Sequence, residues 1–218
     1  MLTRREFLLR GLAGAGGAVL LGLGGKETLA ETVPPLNRNQ FPYLEVAGTP
    51  HEIGKAIGAK FGDNIRKGLK RRAEWFEELR TYALGEGKKH YAHMLKMSEA
   101  HTPGPLEELR GWAEGSGVPF EDLFVLNCKN EFDTFMQMGK GCPGCSVVAY
   151  RSDDKLIVAH NEDGHKAYED LMFMLRVRPK GGTEFVAFTY PGVIEGNAPG
   201  VNEHGITFTT NYIPSAKV

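Results

Sequence analysis

The sequence predicts an α+β fold, helices first and a strand-rich, antiparallel block second. Two observations carry that prediction. Apolar residues recur at the helical period from Ile53 to Ala83, and helix-length segments continue to Leu126; after residue 140 the period changes to two. Composition agrees: 218 residues, 41% of them hydrophobic and 24% charged, bury a core in one domain or a small pair and do not make a disordered chain. A formal net charge of −1 excludes a mainly electrostatic nucleic-acid binder, and three cysteines are too few for a disulfide scaffold.

Residues 1–30 stand apart from the fold. Thr3-Arg4-Arg5-Glu6-Phe7 is followed by a Gly/Ala/Leu-rich run from Gly11 to Gly25, then Lys26, then small residues at Thr28-Leu29-Ala30. This is the pattern of a twin-arginine export signal, with Arg4 and Arg5 read by the translocase. The run is shorter than the roughly 18–20 residues that span a bilayer, and its glycines make a poor membrane anchor. The expected location is therefore periplasmic or secreted. Residues 31–144 are expected to form a helical region, opened by a linker with Pro34 and Pro35, and residues 145–218 a strand region.

Tyr43, Leu44 and Val46 suggest a short strand ending at Gly48. Thr49-Pro50-His51-Glu52 is a capping box with proline at the first helical position. Ile53, Ile57, Phe61, Ile65, Leu69, Phe76, Leu79 and Ala83 keep one apolar face, which predicts a continuing helix until Gly85 and Gly87. Lys67, Lys70, Arg71, Glu74 and Glu78 on the other side read as a solvated face. Further helices are expected from Lys88 to about His101, stopped by Pro103 and Pro105, from Leu106 to Glu114, and from Pro119 past Leu126. Cys145 to Tyr150 and Lys155 to His160 read as strands joined by the turn Ser152-Asp153-Asp154. Leu171–Val177, Glu184–Tyr190 and Ile206–Thr210 read as later strands, with a hairpin turn at Gly181-Gly182. No helix follows to cover the sheet, so the reading expects an incomplete domain ending at Val218.

Chemistry concentrates around Gly144-Cys145-Ser146. A thiol at the start of a strand is placed to attack the preceding Gly144 carbonyl, and glycine tolerates the geometry that attack needs. Hydrolysis of the resulting thioester would leave Cys145 as a new N-terminus, its α-amine acting as base for its own thiol. The alternative is a small buried apolar cysteine. Cys142-Pro-Gly-Cys145 also matches a C-x-x-C redox pattern, but a strand rather than a helix follows it, and no second pair completes a zinc site. Cys128, beside Leu126, reads as core. His160-Asn161-Glu162-Asp163-Gly164-His165 has no helical ligand spacing, so no metal is assigned. A hairpin returning from Cys145 brings the stretch from Asn161 to Asp163 close to it, where Asp163 would hold the ammonium or orient the thiol; the plain reading of Asp163 is a turn cap. Asn211, at a strand end, is a candidate oxyanion donor or an ordinary turn residue. His51, His90, His93, His101 and His204 read as surface residues.

Taken together, these residues resemble the acyl-coenzyme A:isopenicillin-N acyltransferase-like family of N-terminal nucleophile (Ntn) hydrolases, with bile-salt hydrolases and penicillin V acylases as more distant relatives. Gly48-Thr-Pro-His-Glu-Ile-Gly54 with Gly58 is similar to the family's "G-x-p-x-E-x-G-x-x-x-G" opening. Gly144-Cys145-Ser146, with Asp163 in Asn161-Glu162-Asp163, is similar to "G-C-T … N-x-D". Gly200-Val-Asn-Glu-His-Gly205 through Asn211 is similar to "G-x-N-x-x-G … N". The resemblance implies an αββα sandwich made as a precursor and cleaved between Gly144 and Cys145. It implies Cys145 as nucleophile, Asp163 as its positioning partner, Asn211 as an oxyanion donor, and further site residues beyond Val218. Related acylases often carry arginine where this chain has His160, so no substrate contact is carried over there. The expected activity is hydrolysis or transfer of an acyl group at a linear amide of a small molecule, with no cofactor. A non-catalytic periplasmic binding or scaffold protein, and a thiol–disulfide protein using Cys142 and Cys145, are the alternatives.

Overall fold

The capping box closes as the sequence requires. Glu52 Oε2 accepts from the Thr49 backbone N–H at 2.8 Å, the Thr49 hydroxyl accepts in return from the Glu52 backbone, and Pro50 occupies the first turn. The helix it starts, α1, spans Pro50–Arg71. This is a computed structural model, and it describes residues 42–136, 145–154 and 156–211. Arg4 and Arg5, the linker, Cys142 and Gly144 lie outside the described residues.

The apolar face running on to Ala83 is carried by two helices rather than one. The backbone leaves the helical region at Arg72 (φ −120°, ψ 29°), whose N–H bonds the Leu69 carbonyl, and α2 resumes over Ala73–Leu84. The Arg72 guanidinium lies 3.4 Å from the centre of the Trp75 ring, a cation–π contact at the break. Helix α3 covers Lys88–His101, and α4 covers Pro103–Ser116. Pro103 thus opens α4 as well as ending α3, because a first-turn residue has no helical partner for its N–H. The helix expected to run past Leu126 is also divided, into α5 (Phe120–Asn127) and α6 (Lys129–Phe135), with the bend at Cys128.

Helices α1 and α4 cross at very short range, which explains the glycine spacing of the opening motif. A Cβ at Gly54 would stand 1.9 Å from the Glu108 carbonyl oxygen, and one at Gly58 2.4 Å from that of Trp112. The partner helix is built the same way: a Cβ at Gly111 would lie 2.2 Å from the His51 oxygen, and one at Gly115 2.1 Å from that of Lys55. Glycines four apart on both helices let the two backbones touch.

The main sheet contains β1 (Tyr43–Gly48), β4 (Phe173–Pro179), β5 (Phe185–Thr189), β6 (Gly200–Asn202) and β7 (Thr207–Phe208), side by side in that order. The strands after residue 145 pair antiparallel, as expected, but the sheet as a whole is mixed, because β1, for which no partner was expected, runs parallel to β4. A strand that returns to the sheet only after several helices makes a crossover, and a crossover permits parallel pairing. Strand β6 was not among the expected strands, and the Ile206–Thr210 strand is reduced to Thr207–Phe208. Phe173, Leu175 and Val177 of β4 point into the core, where the Phe173 ring stacks on Phe61 at 3.8 Å beside the fully buried Trp112. Strands β2 (Ser146–Arg151) and β3 (Leu156–Asn161) form the expected hairpin, as a two-stranded sheet of their own. The observed class is mixed helix and sheet.

Candidate active site

The hairpin register decides which side chains stand with the cysteine. Ser146 faces Asn161 and Val147 faces His160, so the next pair outward sets Cys145 against Glu162. With side chains alternating along each strand, Cys145, Val147, His160 and Glu162 share one face, and Ser146 and Asn161 the other. Cys145 Sγ, a ring nitrogen of His160 and a carboxylate oxygen of Glu162 all lie within 4.8 Å of one another.

Glu162 is held at both oxygens. Oε2 lies 2.8 Å from His160 Nε2, and Oε1 accepts from the Tyr190 hydroxyl at 2.8 Å. A carboxylate only accepts, so Nε2 carries the imidazole proton. The His160 side chain is 2% exposed, and its other nitrogen, Nδ1, is buried without a hydrogen-bond partner among the described residues. Burial first, and then the Glu162 carboxylate, push the Tyr190 phenol well above its ordinary range, so it remains a donor. Tyr190 reaches the site because position 164 is glycine: a Cβ there would lie 2.2 Å from the Tyr190 oxygen. Its ring packs edge-on against Tyr168 at 5.6 Å, which ties the site to the core.

Asn211 also arrives at the cysteine. Its Nδ2 donates to the Cys145 backbone carbonyl at 3.0 Å. Asp163 is exposed, and its Oδ1 accepts from Asn161 Nδ2 at 2.9 Å, on the face away from the sulfur; the carboxylate beside the thiol is that of Glu162. Sequence reasoning brought Cys145, the hairpin and Asn211 to one place but did not single out His160, Glu162 or Tyr190. The period of two, counted from the cysteine, was the signal for the first two. Tyr190 carried none, because its approach depends on the loop at Gly164.

Cysteine, imidazole and carboxylate at this separation are ligand types that share a divalent ion. Here the direct His160–Glu162 hydrogen bond already satisfies two of them. Cys128 is half-buried among core residues, and burial pushes its thiol up to about 12, so it behaves as packing rather than as a nucleophile. Of the histidines read as surface, His51 is half-buried 3.3 Å from Glu114, and His90 stacks on Phe135 at 4.1 Å.

Two comparisons with known proteins bear on this site. The acyl-coenzyme A:6-aminopenicillanic acid acyl-transferase family matches residues 150–218, a stretch that contains Asp163 and Asn211 and begins after Cys145. The chain is also 26% identical to the β-alanyl-dopamine/carcinine hydrolase of Drosophila melanogaster, over 81% of its own length. It spans about half, 49%, of that relative. The similarity is thus to a hydrolase and to an acyltransferase family, and the kind of enzyme it supports is one acting on acyl groups.

Proposed function

We propose that this chain is the precursor of an exported Ntn-type amidohydrolase or acyltransferase with Cys145 as its nucleophile. The observation that carries the reading is the convergence on Cys145, at the open end of the hairpin, of the Asn211 amide from the far end of the described chain. Similarity to an amide hydrolase and to an acyltransferase family supports the same chemistry. In this reading the αββα sandwich has the β2–β3 hairpin in its second sheet, and Arg4 and Arg5 direct export through the twin-arginine translocase.

The cycle begins once the Gly144–Cys145 bond is cut. The free α-amine of Cys145 takes the thiol proton, and the sulfur attacks the acyl carbon of a small-molecule amide. Asn211, with backbone amides, stabilises the oxyanion. The C–N bond breaks, the amine leaves with a proton, and water or an acceptor amine resolves the thioester. Water makes the protein a hydrolase and an amine makes it a transferase. The substrate class is a linear amide of a small amine, drawn from the relative's named substrates.

The test is a panel holding β-alanyl-dopamine, carcinine and acyl derivatives of 6-aminopenicillanic acid, assayed for amine release by the full-length protein. Turnover of at least one, lost in Cys145→Ala and kept in Cys142→Ser, is expected. Loss in Cys142→Ser together with disulfide reduction would replace this reading with a redox one.

A further inference from the structure

Self-cleavage raises a problem that turnover does not. The base used in turnover is the α-amine of Cys145, and before the chain is cut that nitrogen is an amide with no basicity. Another group must take the thiol proton for the first step. We infer that His160 is that group, a general base for cleavage of the precursor, oriented by Glu162 and Tyr190. This inference rests on the reading of Cys145 as the self-cleaving nucleophile.

The geometry has the parts that nucleophile–base pairs need: a base near the nucleophile and a third group that orients the base. A ring nitrogen of His160 lies within 4.8 Å of the Cys145 sulfur. Glu162 accepts the Nε2 proton at 2.8 Å, which fixes the tautomer with the lone pair on Nδ1. Nδ1 is buried and has no hydrogen-bond partner among the described residues, an acceptor left without a donor in a site that holds a thiol. Tyr190 donates to the second Glu162 oxygen at 2.8 Å, so the carboxylate stays aimed at the ring. The imidazolium formed on proton transfer then sits against a carboxylate, which stabilises it.

The step balances. The Cys145 S–H proton passes to His160. The thiolate forms a C–S bond to the carbonyl carbon of the preceding residue, Gly144 in the sequence. The C–N bond breaks, and the leaving nitrogen takes the proton back from the imidazolium to become the α-amine. Water then hydrolyses the thioester, releasing a Gly144 carboxylate and restoring the thiol. His160 ends neutral, as it began.

The experiment follows the precursor band of the full-length protein over time in three forms: wild type, His160→Gln and His160→Ala. Positioned general bases contribute about 10²–10⁴-fold, so cleavage of His160→Gln is expected to slow by at least about 100-fold. Added imidazole should restore cleavage in His160→Ala, where the ring has left a space, and leave His160→Gln unchanged. A merely structural histidine would not give that pattern. If His160→Ala does not fold, His160→Gln with Glu162→Gln carries the test, both slow and both as thermally stable as wild type. Cleavage of His160→Gln at the wild-type rate overturns the inference and leaves the proposed function standing. A wild-type chain that never cleaves overturns both.

Discussion

Strand β4 and the β2–β3 hairpin are built from similar apolar residues and meet opposite surroundings. In β4, Phe173, Leu175 and Val177 are buried against α1 and α4, while Met174 and Arg176 between them are only partly covered. In the hairpin, Val148, Tyr150, Leu156 and Ile157 are each more than half exposed, at 61, 57, 63 and 53%. The hairpin is held by its own ladder and at its root, where Asn211 bonds Cys145 and Tyr190 bonds Glu162. The candidate chemistry sits at that root. Cohesion and reactivity are therefore separable: substitutions in the helix–sheet core should lower stability, and those at the hairpin root should change chemistry.

The largest loss is expected at Trp112, fully buried where α4 meets Phe173. Trp112→Ala should cost about 3–5 kcal/mol by denaturant titration. Next comes the helix crossing. Gly58→Ala drives a methyl into the Trp112 carbonyl and should cost about 1–3 kcal/mol through backbone displacement. A neutral Gly58→Ala would mean that the close crossing is not what the glycines serve.

A smaller effect depends on pH. Glu108 of α4 and Glu195, in the loop after β5, lie together, each half-buried, and desolvation raises both carboxyls; for Glu195 the neighbouring Glu108 charge raises it further. Glu108 also accepts from Trp112 Nε1 at 3.3 Å. The folded protein thus keeps a proton that the unfolded chain releases above its ordinary carboxyl range. That contribution is complete in acid, below the unfolded value, and is lost as pH rises through the raised folded values. Glu195→Gln, which donates to Glu108 without needing a proton, should melt higher than wild type at pH 8. The gap should close toward pH 4, and a gap independent of pH would contradict the shared proton. The smallest effect belongs to the hairpin. Val148→Thr, exposed at 61%, should stay within about 0.5 kcal/mol of wild type, and a multi-kilocalorie loss there would erase the comparison between the two regions.

Much of the packed half was legible because local rules and tertiary structure agree there. The capping box at Thr49, the apolar face of α1 and the alternation of β4 each follow from a period visible in the chain. The divisions at Arg72 and Cys128 were not legible. The apolar spacing continues across the first break, and neither position carries the glycine or proline that marks a helix end. The parallel pairing of β1 with β4 depends on a partner more than a hundred residues away, which no local period reports. At the candidate site, the cysteine at a strand start and the returning hairpin were visible. The choice between Glu162 and Asp163 turned on one step of register, and a one-residue shift along a strand moves a side chain to the other face.

The central claim is that Cys145 becomes an N-terminus, and the N-terminal sequence with intact mass of the purified full-length protein tests it most directly. The account predicts two chains, the second beginning Cys145-Ser146-Val147, and a single uncut chain in Cys145→Ala. A full-length protein that stays uncut and still hydrolyses amides would contradict it.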